Sequence, residues 1–244
     1  MQGPTHRRGG EFAALLGTTI MTSKGVSIEG VHPLVQFAVI YPFAMYGSKW
    51  SDLDHHKGSI PFRDAVSMLT WRILHLTSGI RKNMNKGDLW YKPLGVLDSK
   101  HRSWQTHSDF TLVLFLGLTI WLTGTANSGL TNQETVIRLI GTGFSLGIVA
   151  HLILDMITPE GCHSVPLLFL KEWVGVKGIP TKFSFVPKSH FFATGGKWET
   201  FINRLLTISC YVLLAWMLIQ VFWGNPIEVI IEPIIESIKD TFSR

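Results

Sequence analysis

Histidine and aspartate side chains recur in separated clusters along the 244-residue chain. The clusters are His6; Asp52 with Asp54, His55 and His56; His101 with His107; and His151 with Asp155. His151 and Asp155 are four residues apart in an apolar run, so on a helix they project from one face, one turn apart. A histidine and an aspartate in apolar surroundings are costly unless they are paired or bind a cation. Their spacing therefore predicts metal ligands, and the other clusters would complete the site.

Imidazole and carboxylate ligands together suit zinc, manganese or iron. Several aspartates are typical where more than one divalent cation must be neutralised, and two metals about 3.5–4 Å apart can bind a phosphoryl group and activate a water. A catalytic site would also leave one coordination position open. We therefore expect a divalent metal ion, with zinc favoured over manganese or iron, and room for more than one ion.

Each cluster also has a simpler interpretation. His151 and Asp155 could form only a buried hydrogen bond, and the aspartates of the second cluster could serve ordinary turn chemistry. His55 and His56 are adjacent, so we expect at most one of them to reach a given metal. The convergence of several clusters from remote parts of the chain favours a metal site over these interpretations.

The elements that must position these residues are predicted to be membrane helices. The chain is 46% hydrophobic and only 16% charged, whereas soluble domains carry about 25% charged residues. A spanning helix needs about 20 mostly apolar residues. Three stretches qualify: Phe110–Gly129, Val136–Ile157 and Leu205–Trp223. The two cysteines have no partner at metal-ligand spacing, so we interpret both as structural.

The N-terminal part of the chain is predicted to form a further hairpin. Val31–Gly47 is shorter than a usual span and contains Pro42, so it would span with a kink. Phe12–Thr22 is too short to span alone, and we expect it to pair with that segment. Met1–Gly10 is polar, so we expect no cleavable signal peptide. The fold class is therefore all-α, a polytopic membrane protein with four or five membrane segments.

The loops predict the orientation. Loops 48–104 and 158–204 are rich in lysine and arginine, whereas the short connection Leu130–Thr135 has neither. Positive residues flank the cytoplasmic ends of spans, so both loops should be cytoplasmic, and the metal site should lie at that membrane boundary. Within the first loop, Pro61–Ile80 has helical spacing. A nucleic-acid patch would also be basic, but anionic lipid explains this charge more simply, so we expect no direct nucleic-acid partner.

The chain is predicted to form a single membrane-embedded domain, residues 1–223, followed by a tail, residues 224–244. In the tail, isoleucines alternate with glutamates at helical spacing. We expect this amphipathic helix to pack on the body, because its polar face is mainly acidic.

The clusters stand in motifs that resemble a known family. The motifs are Thr5-His6 with Gly10; Ser51-Asp52-Leu53-Asp54-His55; His101-Arg102-Ser103-Trp104-Gln105-Thr106-His107-Ser108; and Gly147-x3-His151-x3-Asp155-x2-Thr158-Pro159-x-Gly161. Together they resemble the YdjM-like family of membrane-bound, metal-dependent hydrolases, some of whose members are described as LexA-binding inner-membrane proteins. Thr194-Gly195-Gly196 with Glu199 is similar to the family's C-terminal element. Ser51 stands where the family usually has proline, and the motif around Ser103 departs from the family's compact form.

The resemblance implies a metal-dependent hydrolase in the inner (cytoplasmic) membrane of a bacterial-type cell, with its site facing the cytoplasm. The ligand set would be His6, Asp54, His101, His107, His151 and Asp155, together with either His55 or His56. Asp52 would be a further ligand or would support the ligands by hydrogen bonds. Glu199 would be a base or further ligand, Arg102 would hold a phosphate, and Thr106 and Ser108 would orient ligands. The pattern is similar to that of helical zinc phospholipases. It implies a phosphoester substrate, either a phospholipid or a lipid-linked phosphate, presented by the lipid bilayer.

Two other functions compete with hydrolysis. A non-enzymatic membrane regulator or scaffold would use the metal only to staple the helices together. A transporter would use His151 and Asp155 as a proton or cation relay. The transporter ranks last because the helix beginning at Phe110 is almost purely apolar.

Overall fold

The computed structural model describes residues 3–24, 28, 30–54, 67–70, 72, 76, 80, 83–86, 88, 106–124, 129–186 and 195–223. The helices are α1 (Gly3–Ser23), α2 (Pro33–Trp50), α3 (Asp109–Gly124), α4 (Asn132–Met156), α5 (Val165–Phe169) and α6 (Lys197–Trp223). A 3-10 turn, Ser51–Asp54, follows α2, and a π-helical turn, Leu170–Val174, follows α5. Two short antiparallel strands, β1 (Cys162–His163) and β2 (Lys182–Phe183), complete the described elements.

The predicted all-α fold class is confirmed, and the three longest apolar stretches are helices. Among the described residues, α4 and α6 are long and apolar enough to cross a membrane, and α3 is apolar but shorter. In the stretch Pro61–Ile80, each described residue is helical. The tail 224–244 lies outside the described residues. The number of membrane segments stays a prediction.

The first helix is longer than the apolar stretch predicted. It begins at Gly3, so most of the polar N-terminal segment is helical. The charges within it are paired along the helix: Arg8 donates a hydrogen bond to Glu11, three residues on, and Arg7 lies 3.6 Å from the same carboxylate. Pairs at this spacing stabilise a helix, which explains why it continues through charged residues.

The long helices alternate in direction, so each of them has either its first or its last residues at the same end of the bundle. The start of α1, the end of α2, the start of α3, the end of α4 and the start of α6 all lie there. Helix α1 packs against α2, α4 and α6, and α4 also packs against α2 and α3. We call this end of the bundle the site end. The connections α1–α2 and α3–α4 are short, whereas the longer segments 51–108 and 157–196 begin and end at the same end of the bundle. Residues from remote parts of the sequence therefore lie side by side there.

Helices α2 and α4 run in the same direction and approach each other unusually closely. A methyl group at Gly143 or Gly147 would overlap backbone atoms of α2, including the carbonyl oxygen of Ala44. One turn further along, His151 of α4 contacts the carbonyl of Ser48, one turn beyond Ala44. Small residues at every fourth position allow such approach between membrane helices. The same stripe therefore carries the glycines and then His151.

The bundle is apolar outside and partly polar inside. Helix α3 buries only Thr111 and Leu122 among its residues. Helices α1 and α4 bury hydroxyl side chains instead: Thr18, Thr19, Thr142 and Ser145. Large exposed apolar side chains cover α3 and α6, among them Val113, Leu114, Ile120, Trp121, Leu205, Ile208 and Val212. This distribution agrees with helices whose outer surface meets lipid.

Candidate metal centre

Histidine and aspartate side chains from two helices, α1 and α4, and from two connecting segments meet at the site end. Asp155, near the end of α4, lies at the centre of the group. One of its oxygens is 3.2 Å from His6 Nε2. The other is 3.2 Å from His107 Nε2 and 3.3 Å from His151 Nε2. The Nε2 atoms of His107 and His151 are 3.1 Å apart. The pairing predicted from the four-residue spacing is therefore one edge of a larger cluster.

Asp52, in the 3-10 turn after α2, closes the cluster from one side. Its carboxylate oxygens lie 3.6 Å from His6 Nδ1, 3.7 Å from His151 Nε2 and 3.8 Å from His107 Nε2. Its side chain is 26% exposed, whereas those of the other four residues are at most 2% exposed. Solvent therefore reaches the described cluster on the side of Asp52.

Asp52 is held in its ionised form. Burial raises the pKa of this carboxyl, but the charge of His151 and the hydrogen bond and charge of His6 act in the opposite direction and prevail. The pKa of Asp52 therefore lies below its ordinary value. A carboxylate must be deprotonated to bind a metal, so Asp52 is prepared for that role.

The donor set fits a divalent metal ion. Two overlapping triads, His6–Asp52–His151 and His107–His151–Asp155, each offer ligand atoms within 4.8 Å of one another. Two ligands bound to one zinc at about 2.0–2.2 Å in tetrahedral geometry lie about 3.3–3.6 Å apart. The separations within the cluster, 3.1 to 3.8 Å, bracket that value. His151 belongs to both triads but can bind only one ion through Nε2, since Nδ1 donates to Ser48. The arrangement therefore accommodates one shared ion, or a second ion beside it that His6 and Asp52 hold without His151.

Hydrogen bonds outside the cluster orient two of the imidazoles. His151 Nδ1 donates to the carbonyl oxygen of Ser48 at 2.6 Å. In a neutral imidazole with its hydrogen on Nδ1, the Nε2 atom carries the lone pair, and this lone pair is directed toward Asp155. His107 Nδ1 lies 2.9 Å from Thr106 Oγ1, which likewise holds Nε2 toward the cluster. Two facing Nε2 atoms at 3.1 Å need a cation or a proton between them.

His6 provides an independent indication of a bound cation. Its ring is 2% exposed and lies against that of His151, with ring centroids 3.7 Å apart and the planes tilted by 47°. Neither ring nitrogen makes a hydrogen bond of good geometry within the described part of the chain, although carboxylates of Asp155 and Asp52 lie 3.2 and 3.6 Å away. A buried imidazole facing two carboxylates without hydrogen bonds is the arrangement that a metal ion would satisfy.

The turn after α4 holds Asp155 in place. The carbonyl of Asp155 accepts hydrogen bonds from the backbone N–H and the hydroxyl of Thr158, at 3.0 and 2.7 Å. Gly161 has a φ of +57°, and a side chain there would overlap the carbonyl oxygen of Phe183. Only glycine tolerates both conditions. The Thr158–Gly161 motif therefore ends α4 just after its ligands and turns the chain into β1.

Strand β1 fixes His107 to the end of α4. The backbone N–H of His163 donates to the carbonyl of His107 at 2.8 Å, and Ser108 pairs with the same residue. The backbone N–H of Val165 donates to Asp109 Oδ1 at 2.9 Å. The segment before α3 is thus tied to the segment after α4, and this is what brings His107 to His151.

Glu199 is buried in the first turn of α6 and joins that helix to α1. Thr5 Oγ1 donates to Glu199 Oε1 at 2.8 Å, and the backbone N–H of Gly195 donates to Oε2 at 2.6 Å. Neither metal-binding triad of the described residues includes Glu199. Its contacts hold α6 against α1 next to His6. Its role as a base or further ligand stays a prediction.

The remaining predicted site residues are only partly placed. His55, His101 and Arg102 lie outside the described residues. Asp54 is the last residue of the 3-10 turn that carries Asp52, and its side chain also lies outside the description.

Of the two groups that orient the imidazoles, the sequence predicts one, Thr106, and not the other, the carbonyl of Ser48. Thr106 was predicted to orient a ligand, and it does contact His107. The carbonyl of Ser48 was missed, since every residue has a carbonyl and no side-chain pattern marks this one. The four-residue spacing of Gly143, Gly147 and His151 was the available signal for a backbone at close range.

A comparison with protein families covers nearly the whole chain. The model of a family described as YdjM inner membrane protein matches residues 1–225. The chain belongs to this family. No curated protein and no solved structure matches the chain. The YdjM match includes all five residues of the described cluster, and its inner-membrane description agrees with the two helices that are apolar enough to span.

Proposed function

We propose that this YdjM-family protein is a membrane-bound, metal-dependent hydrolase that acts on a phosphoester at or near lipid headgroups. The observation that carries the proposal is the convergence of three histidines and two aspartates, from four segments of the chain, with neighbouring donor atoms 3.1 to 3.8 Å apart. Such a donor set suits zinc, with manganese or iron as alternatives.

The burial of each cluster residue indicates its role in the proposed reaction. His107, His151 and Asp155 would hold the ion on the buried side, and His6 with Asp52 would complete one coordination sphere or begin a second. A divalent ion bound there would supply Lewis acidity and lower the pKa of a bound water to about 7. Asp52 is the accessible member, so a substrate would approach from its side.

The orientation of the protein supports a substrate at headgroup level. The described loops at the site end carry Lys171, Lys177 and Lys182, whereas the connection 130–135 at the opposite end has no lysine or arginine. Under the positive-inside tendency, the site end faces the cytoplasm. With α1, α2 and α3 added to the two spanning candidates, the bundle would have five membrane segments.

The test is a substrate screen with purified protein, with and without a chelator. The panel is a set of phospholipids, prenyl phosphates and a chromogenic phosphodiester. We expect chelator-sensitive turnover that is lost in His107→Ala. His32→Asn is the matched control, because it removes an imidazole at the other end of the bundle and keeps a side chain that can accept the hydrogen bond from Leu34. Equal turnover in His107→Ala and the unmodified protein would contradict the proposal.

A structural-metal function is the second candidate, and the burial of the cluster favours it. Four of the five side chains are at most 2% exposed, which is typical of closed structural sites. In that case the protein would be a membrane regulator or scaffold. A fully metallated protein that is inactive on the whole panel, and whose melting temperature falls when the metal is removed, would establish this function instead.

A further inference from the structure

A second group of charged side chains lies on α1, next to the metal centre and separate from it. Arg7 and Arg8, here called the arginine pair, share the carboxylate of Glu11. Arg8 Nη1 donates to one oxygen, and Arg7 Nε lies 3.6 Å from the other. Tyr41 of α2 donates its hydroxyl to the latter oxygen at 3.3 Å. Two guanidinium groups therefore share one negative charge, and the group keeps a net positive charge.

The two sides of this group differ in exposure. The side chain of Glu11 is 9% exposed, whereas those of Arg7 and Arg8 are 60% and 41% exposed. A guanidinium has five N–H donors, and the contacts to Glu11 use only a part of them. The arginine pair therefore presents free donor capacity outward, over a buried carboxylate that keeps it in place.

The faces of α1 show where the arginine pair points. Thr5 contacts α6, Gly9 lies against Leu154 of α4, and Gly10 lies against Ser48 of α2. Because successive helical residues are rotated by about 100°, the arginine pair and Glu11 occupy the remaining face. That face lies between α2 and α6 on the outside of the bundle.

The surroundings of this face match those of a lipid headgroup. The arginine pair follows the cluster residue His6 directly, and at a rise of about 1.5 Å per residue it lies at nearly the same height in the bundle. Arg8 is close enough to Tyr211 of α6 for an electrostatic interaction. On the outer surface of α6, the stripe that carries Tyr211 also carries Ile208 and Arg204, and Leu205 and Val212 are exposed beside it. That surface is therefore apolar apart from one further cation and Tyr211. A cationic group beside an apolar wall fits a phosphate attached to acyl chains better than a free phosphate.

We propose that the arginine pair binds the headgroup phosphate of an anionic lipid, with the acyl chains of that lipid against α6. Arginine pairs with phosphate through two parallel hydrogen bonds, and an exposed guanidinium in a membrane helix is costly without such a partner. The proposal does not depend on hydrolysis at the metal centre. If that centre is hydrolytic, the arginine pair holds a lipid phosphate at nearly the same height as its ligand His6, on another face of α1.

The first test measures lipid binding to the full-length protein in detergent by native mass spectrometry. Phosphatidylglycerol and phosphatidylcholine with identical acyl chains are titrated against the unmodified protein and the double variant Arg7→Gln/Arg8→Gln. We expect the variant to lose about tenfold in affinity for phosphatidylglycerol alone, as charge-assisted hydrogen bonds are lost. The control Lys171→Gln/Lys177→Gln removes the same charge from exposed positions at the same end and should change little. An equal loss in both double variants, or none in either, would overturn the proposal.

The second test uses Glu11→Gln and does not depend on the stability of the arginine variants. Glu11 competes with the lipid for the guanidinium donors, so neutralising it should tighten phosphatidylglycerol binding severalfold. If the arginines only neutralise Glu11, this substitution leaves lipid binding unchanged and the proposal fails. Melting curves in the same detergent verify that the variant is folded.

Two further arms separate other sources of phosphate binding. In His107→Ala the preference for phosphatidylglycerol should persist, because the arginine pair is intact. Loss of the preference there, with retention in the arginine variant, would assign the phosphate to the metal centre and overturn the proposal. Inorganic phosphate and glycerol phosphate should not displace the lipid. Displacement by either would show a site for soluble phosphate instead. None of these outcomes requires the protein to be an enzyme.

Discussion

Helices α3 and α4 form one hairpin and are both apolar, yet they have opposite surroundings. Helix α3 buries two of its residues, whereas α4 buries twelve, among them His151 and Asp155. The difference lies in the small residues. Gly143 and Gly147 of α4 admit the backbone of α2, whereas Gly117 of α3 has no described atom near it. The comparison shows that close helix contact, and not apolar composition, determines which helix carries the polar cluster.

The largest expected effect comes from the residue at the centre of the cluster. Asp155→Asn keeps the volume of the side chain but removes the carboxylate that contacts three imidazoles. We expect metal affinity to fall by more than about 100-fold, since the loss of an outer hydrogen-bond partner alone costs about 10–100-fold. Elemental analysis and competition with a chelator measure the change. Thr119→Ala on α3 is the control, and full metal content in the aspartate variant would contradict the metal-centre assignment.

The next effect tests the close contact itself. A methyl group in Gly147→Ala would overlap the carbonyl of Ala44, and we expect a loss of about 2–4 kcal/mol of unfolding free energy. Gly117→Ala is the matched substitution on α3, and it should be neutral or stabilising by up to about 1 kcal/mol. Thermal unfolding in detergent compares the two variants. Similar melting temperatures for both would show that the α2–α4 contact is not as close as described.

The smallest effect concerns the orientation of His107, which precedes α3. In Thr106→Val the contact with His107 Nδ1 is lost, while the cluster residues are unchanged. Such a loss typically weakens metal binding by about 10–100-fold. Thr123→Ala, which removes a hydroxyl bonded to a carbonyl within α3, serves as the control. Unchanged affinity would mean that the Thr106 hydroxyl does not orient the His107 ring.

The spacing of residues along the sequence determined the main helices and the end of the bundle at which the ligands lie. The three long apolar helices, the common face of His151 and Asp155 and the return of His107 to the same end all follow from sequence period and hairpin connectivity. Period and connectivity act over neighbouring residues, so they can be read without knowing the fold. The same reasoning began the first apolar segment at Phe12 and did not predict that α1 begins at Gly3, because the pairing of Arg7 and Arg8 with Glu11 along the helix leaves no apolar pattern.

Only the tertiary structure decided how the helices approach one another. The distances from Asp155 to His6 and His107, the carbonyl of Ser48 behind His151, and the contact of Glu199 with Thr5 each join segments far apart in sequence. These contacts depend on the packing of α1 and α2 against α4 and on β1, a two-residue strand without a sequence signature. Residue types and helical period determine which donors are available, whereas helix packing determines whether their atoms come within reach of one ion.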